Sequence, residues 1–435
     1  MMSLTAISVV SAQDAASQSK FVPFNEFVQS VRSVQTKAVT SAARARVTDG
    51  AKVDQMRQHL LNLYDGVSVS HSFVIGAHTA DCVPLTQQPT VRAMGIKDLA
   101  APPDSSSAPA TAHANDSKPV PLLEAQMPKG QSTDAFGNSL TCEAGTIPIR
   151  RVTMDEMARF GSLSEFFQKG PNGAGHPPIP GQFEAPQTAT HKYAYTYQYV
   201  NNWGDNADIN LWRPTVHTDI GEIFSLAQSW TIGLGSTTQT AEVGWQNYPE
   251  RTGTDRSVPF IYFTADNYNK TGCYDLTCNA FVQVSNALIF GVPWAPEYYS
   301  VPDGPQWELA FTWEFYQGNW WLRYGSTWIG YYPGSIYGGG QLSRYSNLLE
   351  FGSESVGTTV WPAEGSGLWS SSGYSYAGYQ RELWYFAPNT SYATFWDTLT
   401  PAEPSPACYS ITGPSFDSNS GVYFYFGGPG GASCQ

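Results

Sequence analysis

The stretch Gln239-Thr-Ala-Glu-Val-Gly-Trp-Gln246 alternates between apolar and polar residues, and this alternation decides the fold class. Successive side chains of a β-strand point to opposite faces, so Ala241, Val243 and Trp245 share one face. Glu242 lies on the other face, two residues before a glycine. The stretch is therefore predicted to be a strand with one buried face.

A second stretch, Leu349-Glu-Phe-Gly-Ser-Glu354, has the same pattern. Leu349 and Phe351 share one face, and Glu350 and Glu354 lie on the opposite face with a glycine between them. A missing side chain beside a carboxylate leaves room for a substrate backbone to approach. The pattern alone does not decide the role of these residues, because an exposed glutamate in a strand is usually a solvated charge.

Further strand-like runs continue to the C-terminus, and Tyr, Trp, Thr and Gly dominate this part of the chain. No helical period is visible there. The runs are Phe281–Ile289, Trp307–Tyr316, Trp320–Tyr324 and Val422–Phe426. Strands of this number, separated by Gly and Pro turns, predict an all-β domain of two stacked antiparallel sheets, a β-sandwich, over residues 189–435.

Residues 21–169 have a different pattern and are predicted to form a small α+β segment. Residues 21–65 look helical, with apolar residues at helical spacing. An alternating strand at 67–75, an extended stretch at 145–151 and a short helix at 155–167 follow. The apolar residues of the helical part are Val53, Met56, Leu60, Leu61 and Tyr64.

Two stretches are predicted to be linkers because of their composition. Residues 101–121 are rich in Pro, Ala, Ser and Thr, and residues 170–188 contain five prolines among glycines. A linker of the second kind is easily cut by proteases. It separates the α+β segment from the all-β domain.

The N-terminus and the cysteines point to the secretory route and an oxidising compartment. Val10-Ser-Ala12 fits a signal-peptidase site, so residues 1–20 are interpreted as the remnant of a signal peptide. No later stretch is apolar for long enough to cross a membrane. The chain has six cysteines and no Cys-x-x-Cys, which favours three disulfides in a secreted protein; six cysteines allow 15 connectivities.

Charge and missing motifs exclude several functions. The net charge of −13 makes nucleic acid an improbable partner, since little would neutralise phosphates. His-Glu-x-x-His, Gly-x-Ser-x-Gly, Asp-Thr-Gly and Asp-Ser-Gly are all absent, which argues against zincins, α/β-hydrolases and ordinary aspartic proteases. The seven histidines are scattered, so a metal site has little support.

Four groups of motifs resemble the neprosin family of glutamic peptidases, and they keep the family's order from about residue 70 to the end. The first two resemble an activation peptide, and the other two belong to the all-β part. They are Asp81-Cys-Val with Gln88-Pro89; Cys142-Glu-Ala-Gly-Thr-Ile-Pro-Ile-Arg-Arg151; Glu242-Val-Gly-Trp245 with Phe263-Thr-Ala-Asp-Asn-Tyr268 and Thr271-Gly-Cys-Tyr-Asp-Leu-Thr-Cys278; and Cys408-Tyr409 with Tyr423-Phe-Tyr-Phe-Gly-Gly-Pro-Gly430 and Cys434.

The chain departs from the family pattern at a few positions. Phe351-Gly-Ser-Glu354 stands where the family usually has Trp-Gly-Gly-Glu, and Cys142-Glu143 replaces a Cys-Pro pair. The first departure puts substrate preference in doubt. It also makes the neighbouring Glu350 a residue to test beside Glu354.

The resemblance implies a function and two catalytic residues. It identifies Glu242 and Glu354 as a pair that faces across a groove of the β-sandwich, activates water and hydrolyses peptide bonds in acid without any metal or cofactor. It implies cleavage after proline, so the expected partners are proteins or peptides, Pro-rich ones among them. Residues 21–169 would be a prosegment that inhibits the enzyme within the same chain until the linker at 170–188 is cut.

The disulfides follow in part from the resemblance. Cys408 with Cys434 matches the family's ending. Cys273 and Cys278 are close enough in sequence to close a short loop. The remaining cysteines, Cys82 and Cys142, are then expected to pair with each other.

Two other classes of function stay open at this point. Fourteen tryptophans on a β-sandwich also suit a carbohydrate-binding module, and a glycosidase would use two carboxylates as well. A family member without catalytic activity would keep only the fold. Loss of either glutamate would not affect a binding module, and a glycosidase would release reducing sugar.

Overall fold

The computed structural model describes residues 20–104, 122–123, 126–170, 177, 191–388, 393–395 and 398–434. Residues 1–19, nearly all of the predicted signal-peptide remnant, lie outside the described residues. So do residues 105–121 of the first predicted linker and all but Gly170 and Pro177 of the second. None of the described helices is long and apolar enough to cross a membrane.

Six helices and one three-stranded sheet make up the described N-terminal part, as the predicted α+β segment requires. The sheet has the order β1-β2-β3 and is antiparallel. The helices are α1 (Phe24–Ser33), α2 (Thr36–Thr40), α3 (Gly50–Tyr64), α4 (Pro89–Met94), α5 (Met154–Ala158) and α6 (Leu163–Phe167), and the strands are β1 (Ser72–Ile75), β2 (His78–Pro84) and β3 (Thr146–Arg150).

The prediction of one helix over 155–167 was wrong, because two short helices occupy this stretch. Thr153 and Glu156 form a capping box that starts α5. Ser162 then accepts a hydrogen bond from the backbone of Glu165 and starts α6. The predicted strand at 67–75 is also shorter than expected, since only Ser72–Ile75 pairs with β2.

The all-β part consists of two antiparallel sheets, as predicted. The nine-stranded sheet has the order β10-β13-β12-β11-β5-β15-β19-β18, with β16 beside β15, and the seven-stranded sheet has the order β17-β4-β14-β6-β7-β8-β9. A short helix, α7 (Pro249–Thr252), follows β7. The strands are β4 (His191–Gln198), β5 (Gly204–Asn210), β6 (Glu222–Leu234), β7 (Thr238–Asn247), β8 (Val258–Thr264), β9 (Cys273–Tyr274), β10 (Val282–Gln283), β11 (Glu308–Tyr316), β12 (Asn319–Tyr324), β13 (Thr327–Pro333), β14 (Leu348–Gly357), β15 (Gly378–Phe386), β16 (Ala393–Phe395), β17 (Thr400–Ala402), β18 (Ser410–Asp417) and β19 (Gly421–Gly427).

The predicted strand over 281–289 is reduced to the two residues of β10, Val282 and Gln283. Polar groups of Gln283 form hydrogen bonds outside the strand ladder. Its backbone N–H donates to the side chain of Gln88, and its side-chain amide donates to the carbonyls of Ser285 and Leu288. An apolar run can therefore be buried without continuing as a ladder.

The two sheets bury a common core whose members include the apolar faces of β7 and β14. Ala241, Val243 and Trp245 lie in it together with Leu349 and Phe351, all of them fully buried. The alternation in these two strands therefore predicted correctly which face points between the sheets. The opposite face, which carries the glutamates, packs against the helices of the N-terminal part.

The three predicted disulfides are present. Cys82 pairs with Cys142 in the N-terminal part, Cys273 with Cys278, and Cys408 with Cys434.

Buried carboxyl groups in the sandwich make its stability depend on pH. Burial raises the pKa of Asp205 from an ordinary 3.8 to about 7 and that of Asp275 to about 6. Burial also raises the pKa of Asp208 and Glu364 well above the usual range. In each case the folded state keeps a proton that the unfolded chain releases, so stability is complete below about pH 4 and is lost as the pH rises.

Asp205→Asn should remove one part of this pH dependence. A rise from 3.8 to about 7 corresponds to about 3 kcal/mol lost between pH 4 and pH 7, at about 1.4 kcal/mol per pH unit over the part of the shift that lies in this range. Urea unfolding at these two pH values should therefore show the wild type losing about 3 kcal/mol more stability than Asp205→Asn. The exposed Asp219 offers the matched control Asp219→Asn. Equal losses in Asp205→Asn and wild type would contradict the prediction.

Candidate active site

Glu242 and Glu354 lie on β7 and β14, the two strands that flank β6. Glu242 is opposite Trp230 of β6, and Glu354 is opposite Leu226. Both carboxylates point to the face that the N-terminal part covers, and neither side chain is accessible to solvent. The strand order thus brings together two residues that are more than a hundred positions apart in sequence.

Two glycines lie between the glutamates, one on each strand. Gly244 and Gly352 are both opposite Gln228 of β6. A Cβ atom at Gly244 would lie 2.7 Å from the Cβ of Gln228, and one at Gly352 would lie 2.6 Å from the Cβ of Tyr195. Both positions therefore require glycine, because any side chain there would clash with the neighbouring strand beside the carboxylates.

Lys169, the last residue before the second linker, reaches both carboxylates. Its ammonium group contacts Oε2 of Glu242 and lies 3.1 Å from Oε2 of Glu354. The lysine side chain is completely buried, and its Nζ lies 5.1 Å from the centre of the Trp230 ring. The two carboxylates are therefore neighbours on one face of the seven-stranded sheet, and a cation from the N-terminal part lies against both.

Three further donors hold the Glu242 carboxylate. The hydroxyls of Thr240 and Tyr268 donate to Oε1 at 2.8 and 2.6 Å, and the amide of Gln228 donates to Oε2 at 3.0 Å. Burial, followed by the charge of Glu242, raises the pKa of Tyr268 well above its usual range. The phenol therefore keeps its proton at any physiological pH and can act as a donor to this carboxylate.

A histidine holds the Glu354 carboxylate. Nδ1 of His191, the first residue of β4, lies 2.6 Å from Oε1 of Glu354. Tyr193, two residues on, is also buried beside it, and burial together with the charge of Glu354 raises the pKa of its phenol well above the usual range. The carboxylates of the pair thus have different hydrogen-bond partners.

Sequence reasoning missed Lys169, His191, Gln228 and Tyr268. Thr240 lies two residues from Glu242 on the same predicted face, so alternation could have found it. The other four contact the glutamates only because of strand order and the path of the N-terminal segment, and no local pattern marks them.

Glu350 is fully buried on the same face of β14 as Glu354, and it lies directly opposite Trp230, in register with Glu242. It is therefore close enough to the pair to need its own test, as the sequence suggested. Lys169 forms ion pairs with Glu242 and Glu354.

Within the part of the chain that the structure describes, one group of side chains has the spacing of a metal site, His71, Cys82 and Glu143. Cys82 is bonded to Cys142, so its sulfur is not a thiolate that could bind a metal ion. The group is in the N-terminal part and does not involve the glutamates. The absence of a cofactor remains a prediction.

Comparison with known proteins identifies the domain that contains the pair. The sequence model of the family described as Neprosin matches residues 221–429, which include Glu242 and Glu354. We call residues 221–429, the part that this family model matches, the neprosin domain. The resemblance found in the sequence motifs is therefore confirmed for the all-β part, from the start of β6 to just beyond β19.

Among solved structures, the neprosin domain has a distant neighbour described as "Scytalido-glutamic peptidase with a peptide based transition state analog". The two chains are 9% identical, the match covers 55% of this chain and 97% of the other, and the TM-score is 0.27. A similarity of this size carries no argument about the residues of this chain.

Proposed function

We propose that the chain is the precursor of a secreted acid endopeptidase in which Glu242 and Glu354 activate water to hydrolyse peptide bonds. One observation carries the proposal: two buried carboxylates of a neprosin domain share a single ammonium group. Buried carboxylates this close are costly when both are ionised, and a cation or a shared proton makes the pair stable. Such a pair can hydrolyse a peptide bond when one member is ionised and acts as the base and the other is protonated and acts as the acid.

The chemistry requires only the pair, a water molecule and the peptide. The ionised carboxylate takes a proton from water while the oxygen forms a bond to the carbonyl carbon. The protonated carboxyl group polarises the carbonyl and then gives its proton to the leaving amine, so the C–N bond breaks.

Latency follows from the position of Lys169. Its ammonium group occupies the place between the carboxylates that water and the scissile carbonyl would need. The two ion pairs hold the N-terminal part over the carboxylates. Their loss in acid would release this part, so that water and substrate could reach the pair. Cleavage within 170–188 would make the release permanent.

The cleavage preference and the compartment rest on the family resemblance and on the disulfides. The resemblance to the neprosin family favours cleavage after proline, with protein and peptide substrates. Three disulfides, one in the N-terminal part and two in the β-sandwich, suit an oxidising extracellular compartment.

Acidification of the purified precursor with a peptide library tests the proposal. We expect cleavage at pH 3, predominantly after proline, together with a cut in the linker at 170–188, and no cleavage at pH 7. Mass spectrometry of the products identifies the cut sites. Cleavage without a preference for proline would remove only that part of the proposal. Release of reducing sugar from polysaccharides in place of peptide cleavage would replace the peptidase by a glycosidase.

A further inference from the structure

The segment Phe166–Gly170, which consists of the last two residues of α6 and the three that follow, passes over the glutamate face, and the neprosin domain holds its backbone. The side chain of Arg251 donates to the carbonyl of Phe166. The hydroxyl of Tyr262 donates to the carbonyl of Phe167 at 3.2 Å, and that of Tyr274 donates to the carbonyl of Lys169 at 3.1 Å. All three contacts are made to backbone atoms, so they do not depend on the side chains of the segment.

The side chain of Phe166, three residues before Lys169, lies in a pocket where a cation is stacked between aromatic rings. The guanidinium of Arg251 lies 4.7 Å from the centre of the Phe166 ring and 4.1 Å from that of Tyr274. Phe166 is 1% exposed and Arg251 is 3% exposed. Stacking of this kind favours aromatic rings over aliphatic side chains, because the ring face attracts the cation.

Arg251 has more hydrogen-bonding capacity than the segment uses. Among the described residues, Nε and Nη1 of Arg251 have no hydrogen-bond partner, although the side chain is buried. The hydroxyl of Tyr274 is oriented by the amide of Gln246, which donates to it at 3.1 Å. Arg251, Tyr274 and Gln246 all belong to the neprosin domain, so the pocket remains with the domain when the N-terminal part leaves.

We infer that Arg251 and Tyr274 form a substrate subsite for an aromatic side chain. In the substrate this side chain would lie where Phe166 lies, three residues before the residue that takes the place of Lys169 at the glutamate pair. This inference rests on the proposed function and adds a preference to it. A peptide substrate would follow the path and direction of Phe166–Gly170, with its carbonyls held by Arg251, Tyr262 and Tyr274. The substrate residue in the place of Gly170 would be small, since a Cβ atom there would lie 3.2 Å from the rings of His191 and Phe224.

Binding of two labelled peptides tests the subsite without depending on catalysis. The protein is the full chain at acid pH, where the N-terminal part is expected to leave the site. One peptide has the sequence of residues 163–170, and the other has the change Phe166→Ala. We expect the first to bind at least about tenfold more tightly to the wild type, and the ratio to fall to about threefold or less in Arg251→Met. Arg251→Lys, which keeps the charge without the planar group, should give a ratio close to that of Arg251→Met.

Hydrolysis of two matched substrates separates this inference from the proposed function. The substrates share one cleavage site. They carry Phe or Ala three residues before the residue whose carbonyl lies at the glutamate pair. We expect the difference to lie in KM, with kcat similar. Equal binding of the two peptides to the wild type overturns the subsite, even if both substrates are cleaved. A tenfold binding preference without any hydrolysis supports the subsite and overturns the peptidase proposal.

Discussion

Replacing either glutamate of the pair by glutamine is expected to lower kcat by about 10³-fold or more at acid pH, the range that general acid–base groups contribute. Glutamine has nearly the shape of glutamate and keeps most of its hydrogen bonds, but it neither accepts nor releases a proton. In Glu242→Gln the amide oxygen can take the place of Oε1 and still accept from Thr240 and Tyr268, so positioning is conserved and proton transfer is lost. Initial rates on a proline-containing peptide measure the effect.

Two further Glu→Gln variants serve as controls for this experiment. Glu297→Gln changes an exposed glutamate of the same domain and should keep full activity. Glu350→Gln changes the buried neighbour on the same face of β14 and should also remain active. An inactive Glu350→Gln beside an active Glu354→Gln would mean that the motif alignment across Phe351-Gly-Ser353 is shifted. Thermal unfolding of each variant separates loss of activity from loss of fold.

Lys169→Met should give a precursor that is active without prior acid cleavage. The methionine leaves two carboxylates facing each other without their cation, and removal of one partner from a buried ion pair costs about 3–5 kcal/mol. That loss weakens docking of the N-terminal part by a factor of roughly 10² to 10³ or more. We expect the intact Lys169→Met precursor to hydrolyse peptide at pH 5 to 6, where the wild-type precursor is latent.

The matched control for this variant is Lys129→Met, which removes an exposed lysine from the same N-terminal part. Gel electrophoresis at the end of each assay confirms that the precursor is still uncut. A folded Lys169→Met precursor that stays latent until the linker is cut would show that Lys169 does not block the site. In that case the packing of α3, α5 and α6 alone would account for latency.

The sequence predicted the strands of the site better than the contacts between them. Alternation placed Glu242 and Glu354 on the faces that they occupy, because the apolar partners on β7 and β14 fill the core between the sheets. Alternation could not show that β6 lies between these strands, so Gln228 and Trp230 were missed. His191 and Lys169 were missed for the same reason, since their roles depend on the positions of β4 and of the segment after α6.

Hydrogen bonds between side chains and the backbone, local as well as long-range, explain the errors in the fold. The run at 281–289 has strand-like composition, yet the backbone and the side chain of Gln283 bond to Gln88, Ser285 and Leu288. The helix expected at 155–167 is divided by Ser162, whose capping role was visible in the sequence only as one serine among several. The disulfides were predicted correctly because few plausible pairs remained once the family's ending was matched.

A double-mutant cycle at the glutamate pair tests the central claim most directly. If Glu242 and Glu354 act as one unit, either single glutamine variant already removes the proton relay, and the double variant loses little more. The account predicts that kcat of the acid-activated double variant lies within about threefold of the weaker single variant. Losses that multiply, or a single variant that keeps wild-type activity, would contradict it.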